Sequence, residues 1–188
     1  TEIGSFITLL REPGIVYVDS AVSGGFDNGS SWANAYADLQ DALANAIAGD
    51  EIWVAAGTYY PTTGTDRTIS FDLIDGVAIY GGFTGTETLL SERDWEANPT
   101  ILSGDIQTVA NSDNSYHVLV STSGVTNTAI LDGFTVEDGR ADGTTPNSNA
   151  GGMLIDNSSP TIKNSLFQNN FSTTFGGAVY ALSSISSS

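Results

Sequence analysis

The feature that most constrains the fold is a short pattern, two glycines followed by an apolar residue, that occurs twice in the last quarter of the sequence. It stands at Gly151-Gly152-Met153 and at Gly176-Gly177-Ala178, an offset of 25 residues. Between the copies, Phe167 is followed three positions later by an asparagine. A repeat of about 20–30 residues built from strand-like segments is typical of a solenoid, whose coils stack on one another. The structural repeat, with its glycines at sharp corners, therefore comprises Gly151, Gly152, Phe167, Asn170, Gly176 and Gly177.

A second internal similarity predicts which residues of neighbouring coils meet. The segment 131–139 aligns without gaps on 162–170, which places Leu131 over Ile162 and Val136 over Phe167. In the same alignment a glycine at 133 matches an asparagine at 164, and both residue types tolerate left-handed backbone. We expect Val136 and Phe167 to point inward and to stack on adjacent coils.

Most of the sequence consists of short β-branched or aromatic segments bounded by Gly, Asn, Asp, Ser or Pro. At about 3.3 Å per residue, one 25-residue repeat traces roughly 80 Å, which is enough for a three-sided coil. The sequence therefore predicts an all-β fold, a right-handed parallel β-helix (β-solenoid), in which parallel strands join successive coils. The predicted strand segments are 15–19, 51–60, 76–83, 99–104, 116–121, 128–139, 151–156, 160–170 and 176–182.

One segment has helical periodicity instead, with apolar residues recurring at spacings of three and four. Ser31 is placed to cap its start and Gly49 to end it. The pattern predicts an N-terminal amphipathic helix over 32–48 that covers the strand edges at that end of the solenoid. Its apolar stripe consists of Tyr36, Leu39, Leu43 and Ile47.

The pattern divides the chain into an N-terminal segment, 1–14, and a single parallel β-helix domain, 15–188. The first segment is interpreted as an edge strand or a linker. The chain begins without methionine, and its last predicted coil stops partway without a capping helix. We expect the domain to be the N-terminal part of a longer protein, or to self-associate through its uncapped C-terminal end.

Composition excludes several classes of function. The chain carries 22 acidic against 5 basic residues, a net charge of −17. A charge of this sign repels nucleic acids and anionic membrane surfaces, and no apolar run approaches the roughly 20 residues of a membrane span. The absence of cysteine excludes disulfides and thiolate-bound zinc. We expect no nucleic-acid partner and no direct membrane insertion.

Several segments also carry a family resemblance. These are SWANAYADLQDALANAIAGDEIWVAAGTYYP, AIYGGFTGTETLLSERDWEANPTILSGD and AILDGFTVEDG, which resemble the N-terminal part of bacterial right-handed parallel β-helix cell-surface proteins of the pectin-lyase-like superfamily. Gly176-Gly177-Ala178-Val179 and Phe167-x-x-Asn170 resemble repeats of polymorphic outer-membrane adhesins, and Met153 departs from that pattern, which has alanine. The resemblance covers about residues 15–182.

The resemblance implies a non-catalytic, extracellular domain of a bacterial cell-surface protein that acts in adhesion or as a structural stalk. Its partner would be a host or matrix surface, either glycan or protein. Two alternatives remain open. One is a subunit of an extracellular fibre assembled through the solenoid ends, and the other is a fragment of a polysaccharide lyase, since enzymes also use this fold.

Lyases of this superfamily need a basic residue and a calcium-binding acidic cluster, so the basic residues are the candidate catalysts. Lys163 alternates with an inward isoleucine and is expected to face solvent. Arg93 lies in SERDWE with acids on both sides, which favours a surface ion pair. His117, the only histidine, lies in a strand pattern and is interpreted as structural. We expect no catalytic residue.

Oxygen-rich loops leave calcium binding open, because Ca²⁺ takes six to eight oxygen ligands. The candidate site has Glu137, Asp138, Asp142 and Asn147, all in one stretch between predicted strands. The alternative is that such residues occupy turns because they hydrogen-bond their own backbone. No cofactor is expected to be required.

The aromatic residues allow two interpretations. They form either an outer stripe that packs against sugar rings or a set of rings buried under loops such as 84–98, and the second is favoured. The residues concerned are Trp53, Tyr59, Tyr60, Tyr80, Tyr116 and Tyr180.

Overall fold

The computed structural model describes residues 11–106 and 111–183. Within them the chain forms fifteen strands, one α-helix and three short 3-10 helices. The strands are β1 Ile15–Val18, β2 Glu51–Ala55, β3 Gly57–Tyr59, β4 Phe71–Asp72, β5 Ala78–Phe83, β6 Thr100–Ser103, β7 Leu119–Ser121, β8 Ile130–Asp132, β9 Phe134–Glu137, β10 Arg140–Ala141, β11 Met153–Asp156, β12 Thr161–Lys163, β13 Leu166–Gln168, β14 Phe171–Ser172 and β15 Val179–Leu182. The helices are α1 Leu39–Asn45 and the 3-10 turns Trp32–Asn34, Leu90–Glu92 and Asn111–Asp113.

The strands build parallel sheets that the chain visits in rotation. The first sheet has the order β1-β2-β5-β8-β12, the second β3-β6-β9-β13 and the third β4-β7-β11-β15, while β10 and β14 form a small pair. Each pairing between these strands is parallel. The prediction of an all-β fold with parallel strands is confirmed. The N-terminal segment 1–10 lies outside the described residues.

The predicted pairing of segment 131–139 with segment 162–170 is confirmed residue by residue. Leu131 is in register with Ile162, and Val136 with Phe167. Val136 is fully buried, whereas Phe167 is only partly buried against the core because β13 is the outermost strand of the described second sheet. The glycine at 133 and the asparagine at 164 both have left-handed backbone, with φ of 87° and 46°.

The glycine pair at 151–152 does not form the sharp corner that the sequence predicted. Neither residue has a positive φ, but a Cβ on Gly151 would lie 2.4 Å from the Phe171 carbonyl oxygen, and one on Gly152 2.3 Å from that of Ala178. These glycines are needed because neighbouring backbones approach closely. The strands there pair Met153 with Val179, one residue beyond the offset of the repeat.

The predicted helix over 32–48 is wrong at both ends. Asp38, whose Oδ1 accepts a 2.9 Å bond from the Gln40 amide, is the N-cap of α1, and Ala46 is its C-cap. Tyr36 lies outside the helix because its backbone bonds Tyr17 and Asp19 at 2.9 Å each, as a bridge beside β1. Ser31 makes no side-chain cap.

Half of the predicted apolar stripe belongs to α1. Leu39 and Leu43 are buried and belong to the main hydrophobic core, and α1 contacts β1 and β4. Ile47 follows the helix and is half-buried. The capping function of the helix stays a prediction.

The core consists of one row of inward side chains from each large sheet. The rows contain fully or almost fully buried aliphatic and aromatic residues in register on consecutive strands. They are Val16, Ile52, Ile79, Leu131, Leu102, Val136, Phe71, Leu119 and Met153.

Candidate functional site

The four residues of the calcium hypothesis take different partners. Asp142 accepts bonds from Arg67 Nη2 at 2.7 Å and Arg140 Nε at 2.8 Å. Partial burial opposes its ionisation, but the two guanidinium groups outweigh burial and hold the pKa of Asp142 below its usual range. Glu137 Oε2 accepts from Gln168 Nε2 at 2.7 Å. The carbonyl of Asn147 closes a local turn with Gly143.

Asp138 lies in an environment that disfavours its charge. Burial, followed by the neighbouring charges of Glu137 and Asp105, raises the pKa of Asp138, and a hydrogen bond from Ser103 only partly offsets this. Its backbone is left-handed, with φ of 60°. Within residues 11–106 and 111–183, no group of three or more acidic, histidine or cysteine side chains is placed to hold a metal ion. Calcium binding stays a prediction.

The surface ion pair predicted for Arg93 is wrong, because this arginine leaves its own loop and is buried against the first sheet. Its Nη2 lies 2.9 Å from Asp132 Oδ2, and the two side chains are 8% and 10% exposed. Its Nη1 donates to the carbonyls of Gly81 and Asp132 at 3.1 Å each. The aromatic residues of this loop could have indicated that Arg93 is buried, since a guanidinium stacks readily on aromatic rings.

Lys163 and His117 have the environments that the sequence predicted. Lys163 is exposed. His117 is buried, and its Nδ1 lies 2.8 Å from the Ala150 carbonyl oxygen, a structural contact. Its Nε2 has no hydrogen-bond partner among the described residues.

Burial of the aromatic residues is confirmed for the two that lie on β2 and β3. Trp53 and Tyr59 are almost fully buried. Trp53 stacks on Phe83 with ring centroids 4.7 Å apart, and the loop after β5 closes over this cluster through a bond from Trp32 Nε1 to the Glu87 carbonyl. The other members of the set do not form a stripe, because Tyr60 is exposed and the tyrosines at 80, 116 and 180 are half-buried.

The sequence interpretation missed a groove beside this loop. We call it the corner groove; it has a volume of about 400 Å³ and lies where the first sheet turns into the second. Trp95 is 37% exposed at its wall, and it also lines a second surface depression of about 480 Å³ together with Leu89 and Leu90. The lining of the corner groove includes Trp95, Glu96, Thr135, Asn164, Ser165 and Leu166.

The outermost strands β12, β13, β14 and β15 form what we call the open edge of the sheets. Each has a paired neighbour on one side only among the described residues. Between residues 144 and 183 the only charged residues are Asp156 and Lys163, so the net charge of −17 belongs to the rest of the chain. Large exposed apolar side chains at this edge are Leu166, Phe171, Phe175, Val179 and Leu182.

No helix in the described part of the chain is both long and apolar enough to cross a lipid bilayer.

Comparison with known proteins adds one family. No curated protein and no solved structure matches the sequence. The profile of the family described as "Protein of unknown function (DUF1565)" matches residues 22–184, most of the strand-forming region described above. The chain belongs to the DUF1565 family.

Proposed function

We propose that the chain is a right-handed β-solenoid module of an extracellular bacterial cell-surface protein, non-catalytic, and active in adhesion or as a structural stalk. The observation that carries the proposal is the rotation of the chain through three parallel sheets. From β2 onward, each circuit adds one strand to each of the three large sheets, so the module lengthens as a rod by about 4.8 Å per circuit. A rod of stacked coils suits display away from a surface.

Contacts of α1 support its assignment as the N-terminal cap of this solenoid. Leu39 and Leu43 are buried on one face. Gln40 Nε2 donates to the carbonyls of Pro61 and Ser70 at 2.8 and 2.9 Å, which fastens the helix to the loop between β3 and β4. A helix in this position covers strand edges that would otherwise pair with another chain.

The ion pairs formed by the arginine side chains support a non-catalytic module. A lyase needs a base that can reach its substrate, yet each of the four arginines is held by a carboxylate of the chain itself. Lys163 remains exposed on a sheet face. The ion pairs are Arg11–Asp50, Arg67–Asp142, Arg140–Asp142 and Arg93–Asp132.

The activity test uses polygalacturonate and related acidic glycans with and without Ca²⁺. We expect no unsaturated sugar product by ultraviolet absorbance, and retention of the protein on an immobilised matrix or glycan surface. A variant with Lys163→Ala serves as control for the basic residue that takes part in none of these four ion pairs. Product formation that disappears in this variant would establish the lyase alternative.

The open edge favours a second candidate, a fibre subunit. Free strand edges rimmed by apolar side chains promote pairing with another chain, and the lack of net charge there lowers repulsion between copies. In this case the mass measured by light scattering would rise with protein concentration. Leu166→Lys on the open edge would abolish the rise, whereas a concentration-independent monomer would exclude the fibre.

A further inference from the structure

We propose that the corner groove binds a neutral oligosaccharide chain, with Trp95 as its stacking platform. The inference rests on the adhesive role proposed above, because it names the chemical class of a ligand for that role. The groove is distinct from the calcium candidates and from the buried aromatic cluster.

The starting point is that Trp95 is held in place while part of its ring stays exposed. The Arg93 guanidinium lies between two rings, 5.1 Å from the centroid of Tyr80 and 4.8 Å from that of Trp95. The same guanidinium is fixed to Asp132 by an ion pair at 2.9 Å. A platform that is ordered before binding loses little side-chain entropy when a ligand arrives.

Two glycines make room for this arrangement. A Cβ on Gly82 would lie 2.7 Å from the Trp95 Cα, and one on Gly133 2.7 Å from Arg93 Nη1. Both glycines have left-handed backbone, with φ of 96° and 87°. Asp94 also donates its amide to the Gly82 carbonyl at 2.8 Å, which ties the loop to the corner. The corner therefore holds the loop rigidly against the sheets.

The groove combines the two kinds of contact that a sugar ring requires, an apolar platform for its C–H face and polar groups for its hydroxyls. Trp95 and Leu166 supply exposed apolar surface, 37% and 54% exposed. The Glu96 carboxylate and the Thr135 hydroxyl line the groove and make no hydrogen bond within the described part of the chain. Since Trp95 lines both the corner groove and the second depression, a chain of several sugars fits better than a single ring.

The charge of the chain and the backbone pairing beneath the groove further restrict the chemical class of the ligand. Glu96 and the overall charge of −17 disfavour an acidic glycan. Beneath the groove, β6, β9 and β13 use their backbone groups to pair with one another. An extended peptide therefore finds no free edge on β6 or β9 and could pair only with the outer side of β13, at the open edge. A neutral saccharide matches both constraints.

The experiment is calorimetric titration of the whole chain with neutral hexasaccharides, cellohexaose and maltohexaose, together with a neutral-glycan array and with hexagalacturonate as the acidic counterpart. We expect binding of a neutral probe and none of the acidic one. Trp95→Ala should weaken binding by about tenfold or more, in line with the loss of one stacking contact. Glu96→Gln and Thr135→Val, which preserve side-chain shape, should each weaken it severalfold.

Phe26→Ala is the matched control, because Phe26 is 81% exposed and does not line the groove. Binding of a neutral probe that survives in this control but not in the groove variants supports the inference. Absence of binding to the whole neutral panel, or equal loss in Phe26→Ala, overturns it while leaving the stalk role standing. Binding followed by cleavage of the probe upholds the groove and overturns the non-catalytic assignment.

Discussion

Leu102 and Phe167 belong to the same inward row of the second sheet, yet we expect their truncation to have very different effects. Leu102, Val136 and Phe167 are in register on β6, β9 and β13. Leu102 is fully buried between strands, whereas Phe167 lies on the outermost strand and is half-buried. The larger side chain should therefore contribute less to stability.

The magnitudes follow from burial. Leu102→Ala removes three carbon groups worth about 0.8 kcal/mol each and leaves a closed cavity, for a total loss of about 3–4 kcal/mol in the free energy of unfolding. A fully buried phenylalanine would lose about 3–5 kcal/mol. Because Phe167 is partly exposed and its cavity would open to water, we expect Phe167→Ala to lose only about 1–2 kcal/mol.

Urea unfolding monitored by circular dichroism, at two protein concentrations, measures both values. An unchanged m-value would show that the variants differ in stability and not in the extent of unfolding. If Phe167→Ala loses as much as Leu102→Ala or more, the open edge is covered in solution and our account of it is wrong. A loss that depends on protein concentration would identify a second copy as the cover.

Three further predictions concern the cap and the acidic residues. Leu43→Asp should place an unpaired charge in the contact of α1 with the core, so that the protein unfolds at lower temperature or aggregates. A variant that stays a soluble monomer with an unchanged melting temperature would contradict the capping role of α1. Asp138→Asn should stabilise the protein at pH 7, because a raised pKa in the folded state means that the charged form is disfavoured by folding. The gain should disappear as the pH falls through the folded pKa of Asp138 toward the unfolded value of about 3.9, and a gain that persists in acid would contradict the electrostatic cause. If the calcium site exists, Ca²⁺ should raise the melting temperature more than NaCl of matched ionic strength, and Glu137→Gln should remove the difference. Identical curves, with chelator as baseline, would leave these acids only their contacts within the chain.

The sequence predicted the strand pairing well because the pattern is local and repeated. Leu131, Val136 and their partners on 162–170 recur with matching polarity, and the left-handed corners at 133 and 164 restrict the residue types in the same register. The helix boundaries were predicted badly for the opposite reason. Tyr36 satisfies the helical spacing, but its backbone pairs with β1, and no local pattern reveals that these two distant segments meet.

The candidate sites were harder to predict because they depend on contacts between distant segments. Arg93 and Asp132 are 39 positions apart in sequence, and nothing near either residue indicates that they meet. The acids beside Arg93 made a surface pair look sufficient, and the loop 84–98, which contains Trp95, was interpreted only as a cover for other rings. The corner groove becomes visible only when the loop is placed over the corners at Gly133 and Asn164.

The most direct test of the stacked-coil architecture is engineered cross-linking, since the chain contains no cysteine of its own. Thr135 and Leu166 are directly in register on β9 and β13, so their Cα atoms should be about 4.8 Å apart, within the range of a disulfide. Gln168 lies two residues further along β13 and about 8 Å from Thr135, beyond that range. Under mild oxidation we predict a disulfide in Thr135→Cys/Leu166→Cys and none in Thr135→Cys/Gln168→Cys, both detected by mass spectrometry. A bond in the second pair but not the first would contradict the parallel register on which the solenoid account depends.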